Sequence, residues 1–132
     1  MFSTEIVVTI DQINYGGHVG VDAYLAIVHE ARMRWLKLHG LSEVNLGDDI
    51  GYLILKASMR YKALSFHGDI LIVECTCGNL QKKTVDFYYK VIKRDSGKIA
   101  AIGETTHAFF DPKLERITSP PKEFVDKFIE PV

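Results

Sequence analysis

The chain has 132 residues, of which 47% are hydrophobic and 25% charged, a balance that suits one globular domain over 1–132 and excludes a disordered chain. Lys and Arg number 16 against 17 Asp and Glu, so no global charge favours nucleic acid or an anionic membrane. No apolar run approaches the ~20 residues that cross a bilayer, and "MFSTEIVVTI" carries Glu5 without a basic region, which argues against a signal peptide.

Residues 5–10, "EIVVTI", are rich in β-branched side chains and predict a first strand. A polar, glycine-rich turn over 14–17 follows. Asp22 is a candidate N-cap for a helix reaching about His39, and Gly40 can end it. Tyr24, Ile27, Val28, Ala31, Trp35 and Leu38 recur at three- and four-residue steps, which makes one apolar stripe. Leu25 and Leu36 widen it.

After the loop "SEVNLGDDIG" the period changes to two. Leu53, Leu55, Ala57, Met59 and Tyr61 are expected on one strand face, with Lys56, Ser58, Arg60 and Lys62 on the other. "HGD" at 67–69 predicts a turn before a strand in which Leu71, Val73, Cys75 and Cys77 alternate with Ile72, Glu74 and Thr76. Val85, Phe87, Tyr89 and Val91 mark another strand. "RDSGK" at 94–98 predicts a hairpin turn into a long strand near 99–110. "FFDP" is expected to end the sheet, and "SPPKEFVDKFI" to form a short terminal helix.

This order predicts an α+β domain with a mostly antiparallel sheet of about five strands and one long helix. One helix covers one sheet face, so a second copy of the chain is expected against the remaining apolar surface. Cys75 and Cys77 are the only cysteines, too close on one strand for a good disulfide. They are expected as reduced thiols of a cytoplasmic protein. No metal-ligand spacing involves them or the five histidines, so no metal or cofactor is expected.

The stretch "QINYGGHVGVDAYL", followed by "HEAR", resembles the motif D-x-D-x-x-G-H-V-N-N-x-x-Y-L and E-A-R of the hotdog-fold acyl-CoA thioesterases, specifically the 4-hydroxybenzoyl-CoA thioesterase-like group. Gly17, His18, Val19, Tyr24, Leu25, Glu30, Ala31 and Arg32 fall in register. "YKALSFHGD" is similar to the family's Y-x-x-P-x-x-x-G-D, and "FFDPKLERITSPP" also looks typical. The resemblance implies a curved sheet wrapped around the helix, two subunits joining their sheets into a homodimer or homotetramer, and hydrolysis of an acyl-CoA to acid and coenzyme A. It implies catalytic roles near Asn14, His18 and Asp22, with Gly17, Val21, Tyr24 and Glu30 on the substrate. The Val21 N–H falls where the family places its carbonyl-polarising donor.

One departure matters. Asn14 stands where the family has an acid, and Gln12 where it has another. An amide cannot act as a carboxylate nucleophile or base, though it can orient water or a thioester by hydrogen bonds. A subset of the family resembles N-Y-G-x-H-x-G-x-D-A, closer to this chain. Asp22 is then the nearest candidate base, alone or through His18, unless it serves only as the helix cap; His18 has a structural hydrogen-bond role as its alternative. Glu30 has an i, i+4 ion pair with Arg34 as its alternative. Lys56, Arg60 and Lys62 could meet coenzyme A phosphates or form a solvated face. Two other functions compete with hydrolysis: acyl-CoA binding without catalysis, for which Asn14 argues, and enoyl-CoA hydration, whose motif resembles D-x-N-P-x-H and fits poorly at Gln12 and His18.

Overall fold

The computed structural model describes residues 1–130. Strands β1 (Phe2–Val7), β2 (Gly51–Tyr61), β3 (Ile70–Gly78), β4 (Thr84–Lys93), β5 (Ile99–Asp111) and β6 (Arg116–Ile117) accompany helices α1 (Val21–Leu38) and α2 (Lys122–Phe128). The sheet runs β1-β3-β4-β5-β2, with β6 paired to β5. Every pairing is antiparallel. The α+β architecture expected from the element order is therefore present.

Alternation decides which face is inner. Leu71, Val73 and Cys75 on β3 and Val85, Phe87, Tyr89 and Val91 on β4 are buried, while their neighbours are more open. Against this face α1 lays Tyr24, Ile27, Val28, Ala31, Trp35 and Leu36. Trp35 meets Phe2, Phe87 and Phe128 within 6 Å between ring centroids, so the helix, the sheet and α2 share one aromatic core. Leu38 lies on the same stripe but is exposed, because it is the last residue of the helix. Gly40, at φ +73°, lets the Leu41 N–H reach the Leu36 carbonyl and the Gly40 N–H reach Lys37, a Schellman closure.

Four local expectations need correction. The first strand ends at Val7, three residues early. The Thr9 N–H donates to the Gln12 side chain at 2.9 Å, and this pair rolls residues 10–12 into a single 3-10 turn. Asp22 is not the N-cap. Gly20 holds that position in an extended conformation, and Asp22 is the second helical residue. In β2 the register shifts between Ile54 and Lys56. Leu55 is the inserted residue, so Tyr52 and Ile54, not Leu53 and Leu55, continue the face of Ala57 and Met59. Finally, "FFDP" does not end the sheet: Asp111 accepts the Lys113 N–H at 2.9 Å and turns the chain into β6.

Candidate active site at the start of the long helix

The loop before α1 is a small closed hairpin. The Asn14 N–H donates to the His18 carbonyl at 2.9 Å, and the Gly17 N–H to the Asn14 carbonyl at 3.1 Å. The Asn14 side-chain oxygen accepts the Gly16 N–H at 2.9 Å. Gly17 sits at φ +82°, a conformation that a side chain would strain. The Val19 N–H donates to the Ser65 carbonyl at 2.8 Å, which ties this loop to "YKALSFHGD". That bond brings the two separate motifs together in space.

Asn14, His18 and Asp22 converge. A methyl on Gly16 would stand 3.2 Å from His18 Nε2 and 3.3 Å from Asn14 Oδ1. One on Gly20 would stand 2.8 Å from Asp22 Oδ1 and 3.7 Å from Asn14 Nδ2. Asn14 thus lies between the imidazole and the carboxylate, and two bare glycine surfaces leave room beside them. Among the described residues no hydrogen bond joins Asp22 to His18; the His18 Nδ1 lies 3.2 Å from the Val19 carbonyl oxygen instead. A proton relay between them is therefore not formed here. No side chain caps the helix; the Ala23 N–H closes on the Gly20 carbonyl at 3.1 Å, and the Val21 and Asp22 N–H groups are left at its positive end.

The remaining expected residues separate. Val21 opens the helix. Tyr24 is buried and donates to the Ser65 hydroxyl at 2.9 Å, which makes it part of the scaffold. Glu30 is exposed and bonds Arg34 Nε at 2.8 Å, its i, i+4 alternative. Arg60 and Lys62 line a cleft of about 760 Å³ that also holds Glu74 and Glu104.

A second polar cluster, which no sequence motif marks, lies on the buried face of α1. Arg32 is only 1% exposed. Its Nε donates to the Tyr52 hydroxyl at 2.7 Å, its Nη1 to Tyr89 at 2.9 Å, and its Nη2 reaches Glu43 at 3.4 Å. His29 Nε2 lies 2.7 Å from the other Glu43 oxygen. Tyr89 meets the Thr105 hydroxyl at 2.6 Å, which meets His107 Nε2 at 2.7 Å. Arginine only donates, so polarity runs outward from it: Tyr89 passes its hydrogen to Thr105, and Thr105 to a neutral His107. Burial, and then the Arg32 charge, push the His107 pKa down to about 3. Burial works against the Glu43 carboxylate, but the Tyr52 hydroxyl, His29 and Arg32 outweigh it and hold its pKa below the usual value. A helical wheel carries the signal for this cluster, since Arg32 falls between Val28 and Leu36 on the buried stripe. Its partners come from distant strands and leave no local pattern.

Residues 8–128 match the sequence profile described as the thioesterase-like superfamily. No protein of curated function matches the sequence. The fold is similar to that of a 1,4-dihydroxy-2-naphthoyl-CoA thioesterase from Synechocystis, with a TM-score of 0.89 and 23% identity over 98% of this chain and 96% of that one. A hypothetical protein from Aquifex aeolicus gives 0.87 and 25%, covering 97% and 99%. A Staphylococcus aureus protein solved in complex with CoA gives 0.84 and 22%, covering 96% and 80%.

Proposed function

The chain belongs to the thioesterase-like superfamily, whose profile spans nearly all of it, and from that premise we propose that it hydrolyses an acyl-CoA to the free acid and coenzyme A. The observation that carries the reading is the start of α1: an uncapped helix terminus with Asn14, His18 and Asp22 gathered around Gly16 and Gly20. The thioester carbonyl sits at the Val21 N–H, where the helix dipole favours developing negative charge. Asn14 orients the carbonyl or the attacking water. Asp22 takes the proton as water adds to the carbonyl carbon. Collapse of the tetrahedral intermediate expels the coenzyme A thiolate, which takes up the proton. The amide at position 14 rules out an acyl-enzyme through that residue, so water attacks directly.

The reading includes assembly. β2 is an edge strand, and its Leu53, Ile54 and Leu55 are 45%, 47% and 59% exposed. An open apolar edge is a pairing surface, and a second copy on it gives a homodimer or a tetramer built from dimers. Light scattering that finds a folded 14.9 kDa monomer at micromolar concentration refutes this part. No described helix is long and apolar enough to cross a membrane, and both cysteines are free; a cytoplasmic protein fits these features.

Release of free coenzyme A thiol from a panel of acyl-CoAs tests the function. Turnover supports it. Binding without turnover favours an acyl-CoA-binding protein that lost the acid at position 14. Hydrolysis that is unchanged in Asp22→Asn, His18→Ala and Asn14→Ala alike removes the loop from the mechanism.

A further inference from the structure

α1 and β2 run side by side. At the start of the helix the Tyr61 hydroxyl donates to the Val21 carbonyl at 3.0 Å. At the other end of the strand Tyr52 accepts the Arg32 Nε–H at 2.7 Å. Between these two bonds lies a groove of about 230 Å³. His29 and Arg32 stand eight and eleven residues beyond Val21, which places them about 12 and 16 Å along the axis at the helical rise.

The groove changes chemistry along its length. Leu25, Ala26, Val28, Ile54 and Ala57 line it with apolar surface, and His29, Arg32 and Thr105 make its end polar. Arg32 carries five N–H donors, and its bonds to Tyr52, Tyr89 and Glu43 use three of them. Two remain without a partner among the described residues, on a guanidinium that is 1% exposed. Buried donors are normally satisfied, and an alkyl chain cannot satisfy these.

We propose that this groove is the acyl channel and that its polar end selects acyl groups carrying a hydroxyl or oxo oxygen far from the thioester. The inference rests on the thioesterase reading above and adds the substrate class. With the carbonyl at Val21, the acyl chain passes between Leu25 and Ala57, and its distal oxygen accepts the spare Arg32 N–H. Glu43 already balances the Arg32 charge at 3.4 Å, so a neutral oxygen fits better than a second carboxylate. An extended ten-carbon chain is comparable to this helical rise and serves as the test substrate.

The test compares decanoyl-CoA, 10-hydroxydecanoyl-CoA and decanedioyl-CoA on the intact protein. The hydroxylated ester should exceed decanoyl-CoA in kcat/KM by at least about tenfold, with the gain in KM, because a charged donor left unpaired discriminates strongly against the plain chain. In Glu43→Gln the Arg32 charge loses its counter-ion, and the preference should move about tenfold toward decanedioyl-CoA. Glu43 is partly exposed, so this variant should fold. Equal kcat/KM for decanoyl and 10-hydroxydecanoyl esters, or no gain for the diacid in Glu43→Gln, overturns the proposal. Titration calorimetry with the same esters separates the two readings. Tenfold tighter binding of the hydroxylated ester without hydrolysis leaves the channel standing and removes the thioesterase reading, whereas hydrolysis without any preference does the reverse.

Discussion

Moving from pH 7 to pH 5 should cost the fold about 2 kcal/mol through His107 alone. His107 is fully buried, packed at steep angles against the rings of Tyr52 and Phe87 at 4.3 and 4.9 Å between centroids, and its Nδ1 has no partner among the described residues. Its folded pKa is pushed down to about 3 from an ordinary 6.5, by burial first and by Arg32 second. Below pH 6.5 the unfolded chain takes up this proton and the folded chain does not. The contribution is therefore complete above pH 6.5 and is lost as pH falls toward 3. At pH 5 the gap is about 1.5 units, or about 2 kcal/mol at 1.36 kcal/mol per unit. Glu43 and Asp86, whose carboxyls are also held below their usual values, act in the same direction. Their window opens only near pH 4.5 and below, so pH 5 isolates the histidine. The assay is urea unfolding at both pH values and one protein concentration, read by Trp35 fluorescence. In His107→Gln the amide still accepts the Thr105 hydroxyl but cannot titrate. Wild type should lose about 2 kcal/mol more than this variant; equal losses refute a buried neutral His107.

Four further outcomes follow from the geometry. Asp22→Asn should lower acyl-CoA turnover roughly 10²-fold, the scale of general-base loss, with little change in melting temperature. Asn14→Asp should raise activity if the family's acid chemistry still has room to operate, and both are read by steady-state kinetics beside a thermal melt. Gly20→Ala places a methyl 2.8 Å from Asp22 Oδ1; the carboxylate must swing away, so kcat should fall while the melting temperature barely moves, and unimpaired kinetics would detach Asp22 from catalysis. Burial pushes the Cys75 thiol up to about 12, so a thiol reagent at pH 8 should label Cys75 only after unfolding, and peptide mapping that finds it modified in the folded protein contradicts this.

Much of the candidate loop was legible because its signals are local. Gly16, Gly17 and Gly20 mark a backbone that side chains must not obstruct, and the spacing of Asn14, His18 and Asp22 survives translation into space. Asp and Gly are both good N-cap residues, so the sequence alone does not choose between Asp22 and Gly20; the backbone does, because the helix begins one residue after Gly20. The bulge at Leu55 was equally hidden. Strict alternation of apolar residues is what the sequence displays, but β2 must match β5, and that pairing inserts a residue.

By itself, then, the sequence determined what depends on neighbours in the chain: the stripe of α1, the alternation of β3 and β4, the hairpin at 94–98 and the glycine loop. These follow from periods of 3.6 and 2 and from turn chemistry. Only the tertiary structure decided the fate of Arg32. A charged residue on an apolar stripe is tolerated when acceptors arrive from elsewhere, and here they come from Glu43, Tyr52 and Tyr89, up to 57 positions away in the chain. Burial of a cation is a property of the assembled site, where desolvation is offset by hydrogen bonds no single segment contains.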